Sequence, residues 1–140
     1  MRLSVLAVIA VSVTATPVLA ADMPDMIGKW TGTSRAVVYG TGGHYGDSEA
    51  VPQFKEVALT VEWTAQKGNR LIGTITSRWS TEPMLAVLSS DGKTIVTGDS
   101  DGSAIGRLID ADHFETCYVQ TSAGADQIVV SCVDFARVKE

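Results

Sequence analysis

Histidine is nearly missing from this sequence, with two in 140 residues, and cysteine is equally scarce, also with two. A centre built from a nucleophile and a base needs a histidine beside a serine, cysteine or threonine, so His44 and His113 are the whole supply for that chemistry. Two thiols without close spacing or adjacent histidines argue against a structural zinc or redox site. Basic residues are few as well, 11 against 16 acidic for a formal charge of −5, which disfavours nucleic acid as a partner. No stretch shows a helical apolar period of useful length. Nothing in the chain implies a cofactor, and the closest approach to a metal motif, Asp99-x-Asp101-Gly102, lacks the third ligand and distal glutamate of a calcium loop.

The one long apolar run, residues 3–13, follows Arg2 and precedes Val18-Leu19-Ala20, a small-residue cleavage pattern. It falls short of the roughly 20 residues that cross a bilayer. Residues 1–20 therefore read as a secretory signal peptide, leaving residues 21–140 as a single domain, periplasmic or secreted, with no membrane attachment after cleavage. Loss of Arg2 takes the basic count from 11 to 10 against 16 acids, and the charge from −5 to −6. In an oxidising compartment Cys117 and Cys132 are expected to form a disulfide.

What the sequence does contain is alternation. Over residues 27–39, Gly28, Trp30, Gly32, Ser34, Ala36 and Val38 share one face, while Lys29, Thr31, Thr33 and Arg35 share the other. That period of two marks a half-buried strand. The same pattern, punctuated by turn residues, predicts strands over 54–66, 70–79, 84–89, 93–97, 103–109, 113–121 and 127–138. A three-residue loop, Lys67-Gly68-Asn69, would set Trp63 opposite Gly73, and Asp91-Gly92 would pair Leu88 with Ile95 and Val87 with Val96. With Gly124-Ala125 as a type II′ tip, facing positions in the last hairpin sum to 249, as Cys117 and Cys132 do. Val133, Phe135 and Arg137 then point inward with Tyr118, and the disulfide lies outside. Eight strands with short connections predict an all-β, antiparallel up-and-down barrel.

Gly28-Lys29-Trp30 resembles the Gly-x-Trp signature of the calycins, the lipocalin and avidin families, in which a tryptophan closes one end of an eight-stranded barrel. Arg137, near the end of the last strand, resembles the lipocalin arginine that lies across that tryptophan. The resemblance implies a calycin-like fold with Trp30 and Arg137 as structural partners at a closed end.

At the opposite, open end the alternation of turns gathers the long glycine-rich loop after the first strand, residues 80–83, 99–102 and 122–126. Phe54, Trp79 and Tyr118 are expected to face inward near this end, with His44 and Tyr45 above them in the long loop, as a site for a small, partly apolar ligand. The same connections carry Asp47, Glu49, Glu82, Asp99, Asp101 and Asp126 and no lysine or arginine, an acidic rim suited to a basic protein. Two functions follow: a small-molecule binding protein, or an interaction module such as an inhibitor of a cationic exported enzyme. A third, an isomerase or hydrolase, would rest on His44 with Asp47 as an acid-base pair. His113, at the closed end, reads as a surface residue.

Overall fold

The computed structural model describes residues 23–46, 51–121 and 127–139. Residues 1–20, expected as a signal peptide, and Asp47, Glu49, Asp126 and the expected Gly124-Ala125 tip lie outside the described residues. Eight strands follow one another: β1 (Gly28–Gly40), β2 (Gln53–Lys67), β3 (Arg70–Thr76), β4 (Thr81–Leu88), β5 (Thr94–Gly98), β6 (Ser103–Leu108), β7 (His113–Gln120) and β8 (Gln127–Arg137). Each pairs antiparallel with the next, and β8 closes on β1, so the sheet is an up-and-down barrel without an open edge.

Period-two patterning decides which side chains fill it. Trp30, Val61, Trp63, Leu88, Ile95, Phe114, Val129 and Phe135 are fully buried, while intervening residues such as Lys29, Glu56 and Asp134 face solvent. Cys117 and Cys132 are direct partners in the β7–β8 register and are bonded, on the outer face. Leu88 pairs with Ile95 and Val87 with Val96, as the Asp91-Gly92 turn requires. Trp63 lies opposite Gly73, and a side chain at that glycine would collide with the indole.

The hairpin beyond that pair differs from expectation. Lys67 pairs with Arg70, so the loop is Gly68-Asn69, and a bulge between Trp63 and Ala65 absorbs the extra residue. The bulge reverses the side-chain phase and turns Gln66 inward, where its amide bonds Met26 N at 2.8 Å and Pro24 O at 2.8 Å. The lead-in to β1 is thereby tied across the end of the barrel.

That end is sealed by aromatic packing. Trp30, 1% exposed, meets Phe114 edge-on at 5.0 Å between centroids, and Phe114 stacks on Phe135 at 4.8 Å. The Arg137 guanidinium lies 4.1 Å over the Trp30 ring and donates to Ile27 O at 2.7 Å and Asp25 O at 2.6 Å. The two residues on which the calycin resemblance rests are thus in contact, one as lid and the other as clasp.

Candidate functional site at the open end

Among the described residues, two turns and one inward-folding loop build the other end. β3 stops at Thr76 because Ser77 caps a tight turn: its Oγ accepts from Trp79 N at 3.1 Å and Ser80 N at 3.2 Å. β4 then begins at Thr81, earlier than the sequence suggests, and includes Pro83. A proline fits there because Pro83 pairs with Thr74 on one side, whereas β5 begins to pair only at Leu85.

The loop after β1 bends back into the mouth. Its single 3-10 turn, Gly43–Tyr45, is flanked by glycines, and Gly40, Gly42, Gly43 and Gly46 all take positive φ. Such angles cost glycine little and let the chain reverse twice within a few residues. Tyr45 is driven into the barrel as a plug. Its hydroxyl lies 2.8 Å from Ser34 Oγ on β1 and donates to Ser131 Oγ on β8 at 2.9 Å. Lys55 Nζ donates to the Tyr45 carbonyl at 2.9 Å and holds the plug from the β2 side.

Beside the plug, His44 is 8% exposed, and its Nε2 stands 2.6 Å from Glu82 Oε1. That contact is not aligned as a hydrogen bond, and Nδ1 has no partner among the described residues. Among the described residues the carboxylate that meets His44 is Glu82, brought from β4. Asp99 caps its own turn by accepting from Asp101 N at 3.0 Å and Gly102 N at 2.7 Å, and it also accepts from the Tyr118 hydroxyl at 3.1 Å. Burial, reinforced by the neighbouring Asp99 charge, pushes the Tyr118 phenol well above its ordinary value of 10.0, so Tyr118 stays a hydrogen-bond donor. Gln127, 3% exposed, has neither amide atom bonded among the described residues.

Under this cover lies a cavity of about 30 Å³, lined by His44, Tyr45, Met84, Asp99, Tyr118 and Ser131 among others. It suffices for a water or two and falls well short of the 300 to 1,000 Å³ of an ordinary ligand pocket. With Tyr45 in place the barrel is nearly filled.

No family model and no curated protein matches the sequence. Among solved structures, an S-type phycobiliprotein lyase from Guillardia theta is similar at TM-score 0.42 and 13% identity, over 82% of this chain and 89% of that one. A likeness of that degree carries nothing about function.

The expected site residues divide as follows. His44, Tyr45 and Tyr118 come together around the cavity. Phe54 does not: it is 92% exposed, outward beside its partner Val37, because β2 buries its odd-numbered residues from Val57 to Trp63 and Phe54 is out of phase with them. Trp79 is not inside either. Beyond the end of β3 it is 45% exposed, with Arg78 stacked on one part of its ring at 4.4 Å and the indole pressed against Gly46, where any side chain would collide.

The acidic rim also changes character. Because the connector is residues 77–80, Arg78 belongs to it, and Lys55 reaches the mouth from β2, so the rim is not free of cations. Glu82 and Asp99 are engaged with His44, Ser100 and Tyr118 rather than displayed. Ser34, Ser131, Gln127 and Lys55 were not singled out from sequence. Ser34 alone had a signal, a polar residue on an otherwise small or apolar inward face.

Among the described residues, no three His, Cys, Asp or Glu side chains are placed to hold a metal ion, and no helix is long and apolar enough to cross a membrane.

Proposed function

We propose that the chain is an exported binding protein, periplasmic or secreted after removal of residues 1–20, which takes a small, partly apolar ligand at the open end of the barrel. The observation that carries this reading is the division of the interior. The closed half is mainly an aromatic and aliphatic core, built around Trp30, Trp63, Phe114 and Phe135. The open half buries Ser34, Thr97, Thr116, Gln120, Gln127 and Ser131, with His44, in a space that apolar residues would fill more stably. Among the described residues, His44 Nδ1 and both amide atoms of Gln127 have no hydrogen-bond partner, as Trp63 Nε1 has none in the closed half, but only at the open end do such atoms accompany a cluster of buried polar side chains. The ligand would enter where the plug sits, and the glycines on either side of Tyr45 let the plug leave without unpairing a strand.

The test is thermal. The low-molecular-mass fraction of an extract from the protein's own source, added to the purified chain, should raise its melting temperature, since a ligand that binds the folded state stabilises it by mass action. The protein fraction of the same extract should not. Stabilisation by the protein fraction alone would favour an interaction module.

A further inference from the structure

Resting on that reading, we infer that Tyr45 is a built-in stand-in for the ligand, and that the ligand is a small hydroxylated aromatic of the phenol class. Tyr45 supplies a six-membered ring in the interior and a hydroxyl between two buried serines. Ser34 and Ser131 come from adjacent strands at the closure of the barrel, are inward-facing, and are themselves almost without exposure. A barrel that needed only filling would carry alanine or valine at these positions. Together they form a receptor for one phenolic hydroxyl.

The remaining walls fit the ring. Leu59, Ile75, Met84, Val133 and Phe135 line the cavity next to Tyr45, and Thr116 and Tyr118 stand at its polar side. Space freed by the Tyr45 side chain would merge with the existing cavity of about 30 Å³ into a slot for one substituted aromatic ring. Positive-φ glycines bracket the plug, and the polar contacts that hold it include the two serine hydroxyls, the Lys55 ammonium on a carbonyl and the His44–Glu82 contact, while its ring packs in the core as a bound ring would. Trp79, resting on Gly46, closes over it from outside.

The experiment uses 4-methylphenol, the tyrosine side chain as a free molecule, and toluene, which has the ring without the hydroxyl. Binding to the wild-type chain is measured by calorimetry, and the amides of residues 42–46 are followed by hydrogen exchange. We expect 4-methylphenol to bind about tenfold more tightly than toluene, the worth of a buried hydroxyl pairing, and to speed exchange in the plug. Ser34→Ala with Ser131→Ala should remove that preference. A Tyr45→Gly chain, checked for its barrel by circular dichroism, should bind 4-methylphenol more tightly than wild type because no internal ring competes.

Binding of 4-methylphenol without faster plug exchange would overturn the inference. Equal binding of toluene and 4-methylphenol by the Tyr45→Gly chain would overturn it too, while leaving an open-end site standing. If neither probe binds the folded Tyr45→Gly chain, the phenol inference falls, and the open-end reading falls with it only if the low-molecular-mass extract also fails to stabilise the chain.

Discussion

The phenol oxygen of Tyr45 lies 2.8 Å from the hydroxyl of Ser34, a residue of the same strand whose far end launches the loop that carries Tyr45. The chain leaves β1, reverses through glycines and returns to bond the strand it left. The Ser34 half of this latch is local in sequence, and the bond to Ser131 ties it across the barrel closure to β8. The latch covers the half of the barrel in which polar side chains are buried.

Removing the hydroxyl alone should loosen the latch. Tyr45→Phe keeps the ring and leaves Ser34 and Ser131 without their shared partner, which should cost about 1 to 3 kcal/mol in urea unfolding and speed exchange of the plug amides. An unchanged exchange rate would mean that the ring, and not the bridge, holds the loop.

At the closed end, Trp30→Ala should cost about 3 to 5 kcal/mol, since it deletes a fully buried indole between Phe114 and the Arg137 guanidinium. Arg137→Gln should cost less overall and free the lead-in, because the bonds to Asp25 O and Ile27 O are lost. Exchange at residues 25–27 is the measurement. A neutral Trp30→Ala would remove the tryptophan from its role as lid.

Reduction of the Cys117–Cys132 bond should lower the melting temperature while the β-sheet circular dichroism survives. The bridge spans a separation of 15 residues and, in the chain-entropy model, is worth about 3 kcal/mol. It lies outside the barrel, so no core packing goes with it. Loss of the sheet signal on reduction would show that the staple is required for folding.

Alkaline pH should weaken the fold through Tyr118. A phenol whose folded pKa lies above its unfolded one favours the folded state only while protonated. Its contribution is therefore complete below the unfolded value of 10.0 and lost as pH rises past it. Urea unfolding of wild type should show stability falling above that point, and Tyr118→Phe should flatten the fall. Parallel curves for the two proteins would assign the alkaline loss elsewhere.

Much of the barrel is legible in the sequence because strand phase is a local property. The alternation around Trp63, the sum that pairs Cys117 with Cys132, and the Asp91-Gly92 turn each specify a register without knowledge of the rest of the chain. Phe54 falls on the even, outward series of its own unbroken strand, so the inward expectation for it conflicts with that strand's phase, whereas Trp79 lies past a serine-capped turn that ends β3 and its phase. The bulge at Trp63 is invisible because a three-residue loop without it and a two-residue loop with it both leave Trp63 opposite Gly73.

The site is less legible for a different reason. Nothing local marks a glycine-rich loop as folding inward rather than into solvent, so the plug could not be read, and with it went the roles of Ser34 and Ser131. The His44–Glu82 contact joins a loop to β4 across the mouth, a meeting that only the closed barrel creates.

Native mass spectrometry of the protein purified from its own source tests the central claim most directly. The account predicts a chain carrying one small molecule in stoichiometric amount, released when the protein is denatured, with the plug amides exchanging faster in the loaded form than in the emptied one. A chain that carries a bound protein instead, or one that is bare and whose plug exchange does not change with any small molecule from that source, would contradict it.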